Sequence, residues 1–164
     1  MVPSAAWVDP FGRMLIGWFV QLKRTYVWLR ILGTHDIRPF EKILTNSIFT
    51  FFPNSFDPES TFYELSLVSC DPSGMAWGID NSTLYFADSH TKNITKCDYD
   101  SRKIDVSNCE TLLNVGDEIS ATATPKGMAT DENGHIWVTV ADKEQGAVIE
   151  IDPETGTVIS TIGR

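Results

Sequence analysis

Asp88-Ser89-His90 places the three residue types of a nucleophilic relay side by side. They fall in an apolar stretch that reads as a strand, where neighbouring side chains point to opposite faces, so no relay is expected from them. Asp98 and Asp100, with Asp105 beyond, resemble the start of a calcium loop. An EF-hand would need a ligand where Arg102 stands and a glycine where Lys103 stands, so these acids read as turn formers and solvated edge charges. His35 and His135 are isolated along the chain, and His135 occupies a turn position that is polar in every copy of the repeat described below. Trp77 and Trp137 read as packing residues rather than ligand platforms. From residue pattern alone, then, no catalytic residue and no metal ligand is expected.

Cys70, Cys97 and Cys109 are an odd set without a C-x-x-C pair. That suits reduced thiols and a cytoplasmic location better than a disulfide framework or a zinc site. Asn81-Ser-Thr and Asn93-Ile-Thr match the glycosylation sequon and are read as chance matches. The longest apolar run, Met14 to Leu22, stops at Lys23-Arg24 and falls short of the ~20 residues a membrane span needs. It also lacks the flanks of a signal peptide.

The elements that would position any site emerge from a repeat. Pro72-Ser-Gly-Met-Ala and Pro125-Lys-Gly-Met-Ala begin two stretches of the same grammar. Each runs through an Asp/Asn turn into an aromatic-containing apolar strand. Val8-Asp-Pro-Phe-Gly-Arg, followed by Met14-Leu-Ile, repeats the turn-and-strand part, so turns are expected at Asp9, Asp80 and Asp131. From residue 57 onward, strand-like segments succeed one another four to each ~50 residues, the signature of propeller blades. Strands are expected at Thr61–Val68, Gly74–Trp77, Thr83–Ala87, Ile94–Asp100 and Ile104–Leu113. Four more follow at Gly127–Thr130, Ile136–Val140, Ala147–Ile151 and Thr157–Ile162. The fold class is therefore all-β, about three blades of a propeller.

Three parts are expected: residues 1–17 as a first-blade remnant, 18–56 as an insertion or non-native segment (the second preferred), and 57–164 as the blades proper. Composition separates the first two from the third. Residues 1–56 carry six Lys/Arg against three Asp/Glu and 11 of the 18 aromatics, whereas 57–164 carry seven against nineteen. Within 18–56, Trp18–Leu32 fits either a helix or a pair of strands, and Ile48–Phe52 reads as a strand ended by Pro53. The formal net charge of −9 argues against a nucleic-acid surface, which needs clustered Lys and Arg.

Several phrases together resemble the regucalcin, gluconolactonase and luciferin-regenerating-enzyme family, also known as the senescence marker protein family. They are Val8-Asp-Pro-Phe-Gly-Arg13, Gly74-Met-Ala-Trp77, Thr83-Leu-Tyr-Phe-Ala-Asp-Ser89, Cys97-Asp-Tyr-Asp100 and Pro125-Lys-Gly-Met-Ala-Thr-Asp131. Gly134-His-Ile-Trp-Val138 and Ile149-Glu-Ile-Asp-Pro153 fit as well. The resemblance covers 57–164 and extends to 8–17. It implies a six-bladed propeller with a central divalent cation (Ca, Zn or Mn/Mg) and hydrolysis of sugar lactones, in which the cation polarises the carbonyl and activates water. Its vertebrate members are described as calcium-binding regulators.

Carried over by residue, the family's metal-binding Asn falls on Ser73, and its metal-binding Asp, the general base, falls on Lys126. Its metal-binding Glu lies upstream of Met1, and its substrate-binding Arg and Asn would precede Val8, where the chain has Val2 to Trp7. The metal ligands are thus not retained, and an ammonium at Lys126 could instead attract an anion. Two readings of function result: a truncated lactone hydrolase with impaired or no activity, or a non-catalytic propeller fragment that binds a small ligand or protein partner. Expected partners are a small lactone in the first case and, through open blades, further copies of the chain. Neither nucleic acid nor membrane is expected.

Overall fold

In a computed structural model of the chain, the backbone is described for residues 2–11, 14–19, 27–30, 37–40, 48–51, 63–64, 71–103, 105–143 and 146–163. Side chains are described for 7–11 and for those spans from residue 71 onward. His35, Cys70 and most of 18–26 lie outside the described residues.

Among the described residues, three antiparallel four-stranded meanders and one separate two-stranded hairpin make up the fold. The first joins β1 (Val2–Val8), β2 (Met14–Phe19), β5 (Ile48–Phe51) and β6 (Tyr63–Glu64), while β3 (Val27–Arg30) and β4 (Ile37–Phe40) pair with each other in a separate sheet. Within 18–56, therefore, β5 continues the first meander from β2, and the β3–β4 hairpin lies between them in sequence. The second meander contains β7 (Pro72–Trp77), β8 (Thr83–Asp88), β9 (Asn93–Asp100) and β10 (Asp105–Asn114). After the short helix α1 (Val115–Glu118), the third contains β11 (Thr124–Thr130), β12 (Ile136–Ala141), β13 (Gly146–Ile151) and β14 (Val158–Ile162). Both β1 and β11, the opening strands of their meanders, run beside β7. This is the layout of successive propeller blades, each with its first strand innermost.

The three expected turns form by one local mechanism. Asp9, Asp80 and Asp131 each accept a backbone N–H two residues on, from Phe11, Ser82 and Asn133 at 3.0, 3.0 and 2.9 Å. Gly134 takes the positive φ of 89° that closes the third turn.

Packing explains the strand patterns. Leu84 and Phe86 of β8, with Met75, Cys97, Tyr99 and Val106, form a core closed by Trp7 from the first meander. Tyr85 and Ile94 join Ile136, Val138, Val140, Ile149 and Ile151 in a second core between the second and third meanders. Leu84 through Asp88 are accordingly buried without a break, since β8 is covered on both faces. In β12 burial alternates, because the other face has no sheet against it among the described residues.

One expectation is corrected here. Cys97 and Cys109 form a disulfide rather than remaining as thiols. The cause is tertiary: the β9–β10 register shifts between Ser107 and Glu110, and this bulge puts Cys109 opposite the buried Cys97. The linear spacing contains no sign of it.

Candidate functional site

Ser73 and Lys126 lie 53 positions apart in sequence and come together at the start of the two inner strands. Each sits in a β-bulge: the β7–β8 register shifts between Pro72 and Gly74, and the β11–β12 register between Pro125 and Met128. Proline has no N–H to give a ladder, and a bulge is where a strand tolerates it and re-aims the following side chain. The repeated Pro-x-Gly phrase is thus the instruction for a bulge. A third example, unread in the sequence, is the β1–β2 register shift between Pro3 and Ala5, which puts Ser4 at the matching place in the first meander.

The two inner strands approach so closely that a Cβ on Gly74 would fall 2.1 Å from the Lys126 carbonyl oxygen. Ser73 Oγ donates to the Pro125 carbonyl at 2.9 Å and to that of Ala87 at 3.3 Å. The buried Ser89 hydroxyl donates to the same Pro125 carbonyl at 2.8 Å. Lys126 Nζ in turn donates to Ser89 Oγ at 3.1 Å. The result is a cluster of two hydroxyls and one ammonium gathered around Pro125.

Ser89 therefore belongs with Ser73 and Lys126, not with its sequence neighbours. Asp88 Oδ1 accepts the backbone N–H groups of His90 and Thr91 at 2.8 and 3.0 Å, holding the turn. His90 is exposed. Asp100 likewise caps its turn, accepting from the backbone of Arg102 at 2.9 Å, as expected for a turn former. Trp77 packs edge-on to Tyr99, with ring centroids 6.0 Å apart.

His135, isolated along the chain, is not isolated in space. Its Nδ1 lies 2.9 Å from Glu150 Oε1 and 3.9 Å from Asp131 Oδ2. Trp137 faces Glu150 across the β12–β13 ladder, and its indole donates to Asp131 Oδ2 at 3.0 Å. That bond, with the backbone N–H groups of His135 and Asn133, holds the Asp131 carboxyl below its ordinary range.

Comparison with known proteins bears directly on these blades. Residues 56–163 match the family model described as the SMP-30/gluconolactonase/LRE-like region. The chain belongs to that family. Among relatives of the SMP-30/gluconolactonase family, regucalcin of Xenopus laevis is 34% identical over 155 residues, covering 94% of this chain and 44% of its own length. Regucalcin of Gallus gallus is 29% identical over the same coverage. The chain thus spans less than half the length of these relatives. Among solved structures, a luciferin-regenerating enzyme matches with a TM-score of 0.70 at 21% identity, over 96% of this chain and 45% of its own. A calcium-binding regucalcin from Agrobacterium tumefaciens matches at 0.65 with 18% identity, over 96% and 43%. These two establish the propeller fold of the SMP-30/gluconolactonase family.

Ser73 and Lys126, expected from the resemblance to stand at metal positions, do not fit a cation. An ammonium at Lys126 repels one, and the Ser73 hydroxyl proton is directed at backbone carbonyls.

Proposed function

We propose that this chain is part of a sugar-lactone-hydrolase-type propeller in which metal-dependent hydrolysis is impaired or lost. The observation that carries the reading is Lys126, whose Nζ is tethered to Ser89 Oγ beside Ser73 on the bulges of the inner strands. Family membership supports the ancestry, and the cationic side chain argues against a bound cation at this point. The expected result is that lactone hydrolysis by the 164-residue chain does not rise above the spontaneous rate on adding Ca²⁺, Zn²⁺ or Mn²⁺. A saturable, metal-dependent rate would overturn the proposal. Lys126→Asp combined with Ser73→Asn should raise divalent-metal affinity at this end of the strands. Unchanged affinity would mean that the pocket equivalence is wrong.

A second reading is favoured by the same cluster. The Lys126 ammonium suits a small carboxylate, such as a sugar acid, better than a cation, while the Ser73 and Ser89 hydroxyl protons stay on the Pro125 carbonyl. Gluconate binding that is lost in Lys126→Ala supports this reading, and equal binding by both proteins excludes it.

A further inference from the structure

The group formed by Asp131, His135 and Glu150 lies away from the bulge cluster. Lys126 is near the start of β11 and Asp131 directly follows its end, a separation of roughly 16 Å at the rise of a strand. One ligand atom from each of the three residues lies within 4.8 Å of the others. We propose that Asp131 Oδ2, His135 Nδ1 and Glu150 Oε1 form a mononuclear site for a borderline divalent cation of the Zn²⁺ class.

One imidazole nitrogen and two carboxylate oxygens are a zinc-type donor set, whereas calcium takes six or more oxygens. Ligand atoms around a four-coordinate Zn²⁺ at ~2.1 Å stand roughly 3.4 Å apart. The observed separations of 2.9 and 3.9 Å from His135 Nδ1 lie on either side of that value. Both carboxylates are held in place by further donors: the Trp137 indole on Asp131 Oδ2, and the Ser160 hydroxyl on Glu150 Oε2 at 2.6 Å. Such outer partners orient metal ligands. Each of the three residues is partly exposed, with side-chain exposures of 25%, 34% and 15%, so an ion can enter and a fourth position stays open to water.

Comparison of the two complete repeats separates this group from ordinary turn chemistry. Asp80 caps its turn much as Asp131 does, so the capping carboxylate is common to both. Where the third meander has His135 before the strand, the second has Thr83, and where Trp137 faces Glu150, Tyr85 faces Lys96. The turn therefore needs neither His135 nor Glu150. An ionised Glu150 only accepts, so without metal the Nδ1 carries the proton. A bound ion takes the Nδ1 lone pair, and the ring proton passes through solvent to Nε2, so the neutral imidazole binds without net proton release.

The test is calorimetric titration of the 164-residue chain with Zn²⁺, alongside Co²⁺ absorption. One equivalent is expected to bind, and Co²⁺ should give visible bands without thiolate charge transfer. His135→Gln and Glu150→Gln should each weaken Zn²⁺ by ~10-fold or more. The Trp137 indole N–H resonance should shift at the same stoichiometry, a readout that needs no variant if one of them fails to fold. Absence of binding, variants that bind as tightly as the unsubstituted chain, a thiolate band or an unmoved indole resonance would each overturn the site.

Discussion

Lys126 and Ser73 show how far residue-level reasoning reaches. The identity of Lys126 alone disfavours a cation beside its ammonium, because charge sign survives any detail of packing. Their hydrogen-bond partners did not follow from identity. Ser89 reaches Lys126 only because β8 delivers it to the end where Pro125 bulges. Asp131 shows the same limit, since its turn role was legible while its bond to Trp137 depends on the pleat of β12. A pH dependence belongs at this scale. Asp131, through the Trp137 indole, Asp142, through the Thr122 and Ser120 hydroxyls, and Asp152, through the Glu154 backbone N–H, all have carboxyls held below the ordinary range. A depressed native pKa stabilises the fold above the unfolded value of ~3.9, and that contribution is lost as pH falls through the native value. The urea midpoint should therefore drop between pH 6 and pH 3, and Asp131→Asn should show a smaller drop. An identical drop in both proteins would remove Asp131 from the account.

At the scale of elements, the Pro-x-Gly repeat has unequal consequences. A Cβ on Gly74 would meet the Lys126 carbonyl at 2.1 Å and Met128 Cγ at 2.7 Å, whereas one on Gly127 meets nothing closer than Thr139 Oγ1 at 3.5 Å. Gly74→Ala should destabilise by about 1–3 kcal/mol or more, as overpacking does. Gly127→Ala should cost less than ~1 kcal/mol. Equal losses in denaturant unfolding would contradict the close approach of β7 and β11. The second prediction concerns β9 and β10. Thiol titration of the unreduced, denatured protein should find one reactive cysteine of the three, and reduction should cost about 3 kcal/mol for a cross-link of 12-residue separation. Three reactive thiols would refute the pairing. Strand positions from 72 onward were legible because alternation and turn residues agree. The bulge that pairs Cys97 with Cys109 was not, since register is a relation between two strands.

At the scale of the molecule, the described chain is a run of three meanders with a sheet face uncovered at β11–β14. Exposed Ile159 and Ile162 on β14, at 49% and 59%, add apolar surface at its outer edge. The 164-residue chain alone is expected to self-associate, with a sedimentation coefficient that rises with concentration and falls back in Ile162→Lys. A monomer at every concentration would sink this expectation. The sequence by itself determined the β class, the repeat, the turns and the positive charge at Lys126, because each depends on local conformation or on the sign of a charge. Only the tertiary structure decided that Ser89 joins Lys126, that Cys109 meets Cys97, and that His135 stands between Asp131 and Glu150. Those groupings are set by strand register and by the approach of one sheet to the next, which no linear spacing encodes.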